Sequence, residues 1–155
     1  MCSMPVSRRI NFDEPIPRMI KRLKSEHVFF ESKLVQIDNN IRRNNIKQAA
    51  QTVQDISDKI IQHAVEEEAR LMRVIMNNAK DESSESIKIM QEHNWVMNFL
   101  SNRLMLIKNA ATSPRPAEHK KAIRDLNEFV CNLRKHFKEE EEIVFPLTLR
   151  SESAS

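Results

Sequence analysis

Glycine and tyrosine are both missing from the 155 residues of this chain. Without glycine there is no Gly-rich loop to cradle a phosphate or a dinucleotide, and without tyrosine neither a tyrosyl radical nor a phenolic acid/base can operate. Proline is confined to the N-terminal segment, to Pro114 and Pro116, and to Pro146, which leaves long stretches free to run as helix. Strands are not expected. Cys2 and Cys131 are the two cysteines and carry no framework spacing, which suits a reducing compartment rather than a disulfide scaffold. No apolar run approaches the roughly 18 to 20 residues a membrane helix needs, and residues 1–9 have no apolar centre of a secretion signal. A cytoplasmic protein without a membrane partner is the expectation.

What is present is 40% apolar and 30% charged residues, enough for one domain able to enclose a buried site. The net charge is +3, but lysines and arginines alternate with acids instead of forming a basic block, which speaks against nucleic acid as a partner. Helix punctuation divides the chain. A strap over 1–13 is followed by Asp13 to Pro17, suited to a helix start, and a periodic pattern that runs to Ile41. Asn44-Asn45 breaks it, and Asn45 with Gln48 reads as a cap for a second helix reaching Asn78. A third helix is expected from Ser84 to Ala111. A fourth runs from Ala117 to Phe145, where Pro146 ends it and 147–155 is left as a flexible tail. The fold expected over 14–146 is all-α, an up-down-up-down four-helix bundle with a di-metal site in its core.

Each helix carries an apolar stripe stepping three and four residues at a time, the spacing of a bundle seam, and a histidine interrupts every one. The first is Ile20, Leu23, His27, Phe30, Leu34, Ile37, Ile41; the second is Ile46, Ala49, Val53, Ile56, Ile60, His63, Glu67, Leu71, Val74. The third is Ile89, His93, Val96, Leu100, Leu104, Ile107, and the fourth Ile123, Leu126, Val130, Leu133, His136, Glu140, Val144. One histidine on an apolar stripe is ordinarily a satisfied core residue. Four at one height are different. His27 stands 17 residues before Asn44 and His63 stands 18 after Asn45; Glu67 and His93 are each 13 residues from Lys80; His93 and His136 are 21 and 22 residues from Pro114. With antiparallel neighbours and a rise of about 1.5 Å per residue, all four imidazoles fall within roughly one turn of a common layer. His119, 17 residues before His136, lies far outside it and is not a ligand.

His63 and His136 are each followed four residues later by a glutamate, Glu67 and Glu140, which places an imidazole and a carboxylate on one face. An unpaired carboxylate buried among Phe30, Val96 and Leu133 would cost several kcal/mol, and divalent cations remove that cost. Imidazole with carboxylate suits iron, manganese or zinc, and two carboxylates able to bridge point to two ions, with iron preferred. Glu68 and Glu141 lie about 140° from their histidines and read as solvated; Glu66 and Glu139, at about 60°, are marginal. Glu31 follows His27 by one turn and offers a further donor.

These residues resemble the hemerythrin-like, or HHE cation-binding, domains. The carrying motifs are His136-Phe-Lys-Glu-Glu-Glu-Glu-Ile-Val-Phe-Pro146, His63 to Glu67, Glu92-His93 and His27. The resemblance implies an up-down bundle, metal ligands His27, His63, Glu67, His93, His136 and Glu140, and two iron ions bridged by both glutamates and by an oxo or hydroxo group. Met97 stands where circulating members carry a fifth histidine, and no extra histidine lies between His27 and His63 as in iron-cluster repair members. Water, Glu31, Glu66 or Glu139 would then complete the shell.

Two function classes follow. One is a non-haem di-iron binding protein for oxygen, nitric oxide or iron itself, serving sensing, storage or protection. The other is an enzyme acting on peroxide or nitric oxide, or in iron-sulfur cluster repair. Trp95 lies about 160° from His93, flanked by Phe99 and Leu106; either the strap from Cys2 to Phe12 covers this face or it forms a homodimer.

Overall fold

The computed structural model describes residues 9–153, and among them there are helices and turns but no strand. Four antiparallel rods build the bundle. The first is α1 (Ile16–Arg42). The second joins α2 (Ile46–Glu66), a π-helical turn (Glu67–Met72) and α3 (Arg73–Asn78). The third joins α4 (Ser83–Asn98), a π-helical turn (Phe99–Arg103) and α5 (Leu104–Ala111), and the fourth joins α6 (Pro116–Glu139), a π-helical turn (Glu140–Val144) and α7 (Phe145–Ser153). Rod one packs on rods two and four, and rod three closes the ring between them.

The reversal after α1 shows how a chain without glycine turns. Asn44 takes the left-handed conformation at φ 58°, one that asparagine tolerates better than most residues. Its amide donates to the Ile41 carbonyl at 2.9 Å and the Asn45 amide to Asn40 at 2.8 Å, the paired bonds of a Schellman end. Asn45 then opens α2, its side chain accepting from the Gln48 amide at 3.1 Å. At the other end Pro116 occupies the first turn of α6, where its missing N–H costs nothing. His119 donates from Nε2 to the Ser113 carbonyl at 2.7 Å and so ties this same turn.

The stripes hold through the first halves of the rods and shift where the π turns intervene. In a π turn the i→i+5 bonds place residues five apart on one face. Glu67 and Met72, Phe99 and Leu104, and Glu140 and Phe145 are such pairs, and all six side chains are buried. Hence Ile75 rather than Val74 continues the second stripe, and Phe99 rather than Leu100 enters the core. The expected outward-facing cluster is corrected accordingly: Phe99 is interior, Trp95 is half-buried and stacks on it at 5.5 Å, and only Leu106 is well exposed.

The fourth rod does not stop at Pro146. That proline sits one residue into α7, and the helix runs to Ser153 with Leu147, Thr148 and Ser151 buried. The wide turn before it explains why the ring is tolerated, because the α-helical bond that proline would forfeit is already interrupted there. Leu147 packs in a cluster with Ile16, Leu23, Leu71 and Ile75, so 147–153 belongs to the fold rather than to a flexible tail. Of the strap, residues 1–8, Cys2 included, lie outside the described residues. Asn11 and Glu14 accept through their carbonyls from Arg70, each at 2.8 Å. This part of the strap therefore lies on the second rod, not over Trp95.

Two apolar clusters fill the bundle. One surrounds Phe30, Val53, Phe99, Phe129 and Leu133, and the other surrounds Met19, Leu23, Ile75, Ile89 and Phe145. A polar layer lies between them. Among the described residues no helix is long and apolar enough to cross a membrane.

Candidate metal centre

The polar layer consists of the six residues singled out by spacing: His27 from rod one, His63 and Glu67 from rod two, His93 from rod three, and His136 and Glu140 from rod four. All six are buried, and both glutamates are wholly so. Their ligand atoms form two groups, His27, His63, Glu67 and Glu140, and Glu67, His93, His136 and Glu140. Within each group the atoms lie within 4.8 Å of one another, and the two carboxylates belong to both. Such groups could hold metal ions.

Distances define the interior. His27 Nε2 lies 2.9 Å from Glu140 Oε1 and 3.2 Å from His63 Nε2. His63 Nε2 is 3.1 Å from Glu67 Oε2, His93 Nε2 is 3.1 Å from Glu67 Oε1, and His136 Nε2 is 3.1 Å from Glu140 Oε2. Every imidazole therefore presents Nε2 to the shared carboxylates. Glu67 Oε2 and Glu140 Oε2, although 3.1 Å from a ring nitrogen, have no aligned hydrogen bond, and an orphaned buried carboxylate oxygen is costly unless a cation meets it.

The outer ring nitrogens explain why Nε2 faces inward. Glu26 of rod one meets His63 Nδ1 at 2.8 Å, and Glu68 of rod two meets His93 Nδ1 at 2.7 Å. Glu92 of rod three meets His136 Nδ1 at 2.6 Å, and Glu141 of rod four meets His27 Nδ1 at 2.7 Å. Each rod lends a carboxylate to the histidine of the next, and the fourth returns to the first. A carboxylate can only accept, so each Nδ1 carries a proton, and in the neutral ring the Nε2 lone pair is left pointing inward. With all four rings neutral, the interior would hold four lone pairs and two carboxylates and no compensating positive charge.

The proton affinities of the metal-free layer express the same demand. Burial opposes charge on His93, yet Glu140, Glu67 and Glu68 outweigh it and push the imidazole up to about 11. Burial likewise opposes charge on His136, but Glu140 and Glu92 raise it to about 9. His63 is raised well above its ordinary value against its own burial by Glu67, Glu140 and Glu26. Glu140, despite burial, is held well below the usual carboxylate range by His136, His27 and His63. Positive charge is wanted here, as protons or as metal.

The remaining carboxylates are occupied elsewhere. Glu31 is half exposed and pairs with Arg134 at 2.8 Å. Glu66 pairs with Arg22 at 2.8 Å, and Glu139 with Lys88 at 2.8 Å. None of the three reaches the inner layer. Arg22 also grips Glu26 at 3.0 Å and Glu14 at 2.9 Å, which fixes the carboxylate behind His63.

Spacing reasoning missed Glu26, Glu68, Glu92 and Glu141. Glu68 and Glu141 do point away from their own histidines, as their angle requires, but toward a histidine on the neighbouring rod. The available signal was repetition, since a glutamate precedes His27 and His93 and another follows Glu67 and Glu140. Beside the layer a cavity of about 10 Å³ is lined by Phe30, Ile60, Val96, Met97, Leu133 and Phe137 with the edges of His63, His93 and His136, room for about one water-sized molecule. The chain matches no family model, no curated protein and no solved structure.

Proposed function

We propose that this chain is a hemerythrin-like, non-haem di-iron protein that binds a small ligand such as oxygen or nitric oxide, or iron itself, for sensing, storage or protection. The observation that carries the reading is the convergence of four Nε2 atoms on two carboxylates common to both groups. His27 and His63 would hold one ion and His93 and His136 the other, with Glu67 and Glu140 between them. Imidazole nitrogen with carboxylate oxygen is a donor set that iron accepts, and a bound iron pair supplies reversible electron exchange with a diatomic ligand. The chain's residues do the rest. The outer glutamates fix the ring orientation, the two apolar clusters flank the layer, and the small cavity at Met97 leaves room for about one water-sized molecule beside it.

That cavity also favours binding over turnover. Apart from the histidine edges its walls are Phe30, Ile60, Ala64, Val96, Met97, Leu133 and Phe137, and none of these side chains can deliver a proton to a bound ligand. Loading the protein with ferrous iron under anaerobic conditions, then admitting oxygen or nitric oxide with and without a reductant, tests the reading. Stoichiometric uptake with a new charge-transfer absorption supports it. Sustained consumption of the ligand in the presence of reductant would establish the enzymatic alternative instead.

A further inference from the structure

Behind the inner layer, the ring of Glu26, Glu68, Glu92 and Glu141 has contacts of 2.6 to 2.8 Å to all four Nδ1 atoms. We propose that these four glutamates are the positioning residues of the centre and that they bias bound iron toward its ferric form. The proposal rests on reading the layer as a two-iron site.

Charge is the first argument. When the imidazoles ligate they are neutral, so Glu67 and Glu140 inside and the four glutamates outside leave six negative charges around two ions. Two ferrous ions carry four positive charges and two ferric ions six. Nearby cations do not cancel the ring. Arg22 touches Glu26 but is also matched by Glu66 and Glu14, and Lys88 is matched by Glu139. In an interior that screens poorly, each added negative charge favours the higher metal charge. Basicity is the second argument. An imidazole donating Nδ1–H to a carboxylate is a stronger donor at Nε2, and its ring cannot turn. The cyclic order is the third. Glu26 and Glu141 stand behind His63 and His27 on one half of the centre, whereas Glu68 and Glu92 stand behind His93 and His136 on the other.

The test uses the full chain loaded with iron and the variants Glu26→Gln, Glu68→Gln, Glu92→Gln and Glu141→Gln, since glutamine keeps an accepting oxygen and removes the charge. Iron content, midpoint potential by mediated titration, in which one electron per iron passes to the mediator, and Mössbauer spectra are recorded. Expected for Glu26→Gln is unchanged iron content and a roughly tenfold fall in the ferric-to-ferrous ratio at fixed potential, equivalent to about 59 mV for a one-electron couple. Smaller shifts in the same direction are expected for Glu68→Gln and Glu141→Gln, whose carboxylates are more exposed. Glu26→Gln and Glu141→Gln should disturb one iron signal, and Glu68→Gln and Glu92→Gln the other.

Where a glutamine variant loses iron, the aspartate variant at that position decides. Recovery of iron with a parental potential supports a charge role, and failure to recover means packing alone and overturns it. Four iron-replete glutamine variants with unmoved potentials would likewise overturn the inference and leave the two-iron reading intact. A parent protein that takes up no iron would instead end that underlying reading.

Discussion

His27 and His63, on different rods, bring their Nε2 atoms to 3.2 Å while a glutamate holds each Nδ1 from behind. Two lone pairs do not approach in this way without positive charge between or upon them. The layer is a basic interior that takes up protons and could hold metal ions.

Removing an inner imidazole should release metal. His63→Ala and His136→Ala are expected to lose at least one bound ion and to lower the melting temperature of the metal-loaded protein, by roughly 2 to 4 °C for each kcal/mol lost in a chain of this size. His119→Ala removes only the bond to the Ser113 carbonyl and should keep its full metal content. Elemental analysis and thermal melts of the three variants decide it. Metal loss from His119→Ala equal to the others would contradict the assignment.

Without metal, the layer's stability should depend on pH in a defined direction. His136 rises from an ordinary 6.5 to about 9 and His93 to about 11 on folding, so the folded chain binds more protons than the unfolded chain in that interval. The stabilisation is complete below about pH 6.5 and is lost as pH rises through about 9 for His136 and about 11 for His93. Metal-free protein should therefore melt at progressively lower temperature from pH 6.5 to 9.5. The metal-loaded protein, whose imidazoles are neutral ligands, should show a much flatter profile. Parallel profiles would mean that the imidazoles are not the groups metal displaces.

The bundle and its six inward residues were legible because they depend on periods. A histidine at the same height on each stripe, with a glutamate one turn on from His63 and His136, follows from 3.6 residues per turn. The misassigned positions lie beyond departures from that period. Three π turns step the face by five residues, which moved Phe99 inward, replaced Val74 by Ile75, and carried the fourth rod past Pro146. Glu68 and Glu141 were read as solvated because spacing along one helix says nothing of the next helix's histidine.

Met97 is the residue through which the centre should be tunable. It lines the small cavity beside His63, His93 and His136, one turn beyond His93 on the same rod. Met97→His should add a donor at a cost in packing of about 1 to 3 kcal/mol, which ligation offsets. The loaded variant is expected to hold iron more tightly and to oxidise more slowly on mixing with oxygen. Stopped-flow absorption of both ferrous proteins tests this, and equal oxidation rates would remove Met97 from the account.

Arg22 should matter more than any other surface cation. It bridges Glu14, Glu26 and the buried Glu66 at 2.8 to 3.0 Å, so Arg22→Met leaves a buried carboxylate without a counterion. A loss of about 1 to 3 kcal/mol is expected after allowing for the partial exposure of the guanidinium. Lys138, whose contact to exposed Glu142 is 4.0 Å, should tolerate the same change with no measurable loss. Urea unfolding at constant metal loading compares the two, and equal midpoints would show that the Arg22 network is solvated.

The most direct test of the central claim is an anaerobic titration of metal-free protein with ferrous iron, following bound metal and released protons together. The shared carboxylates of Glu67 and Glu140 predict saturation at two ions per chain, with protons leaving His63, His93 and His136 as the ions enter. Saturation at one ion, or uptake without proton release, would contradict it.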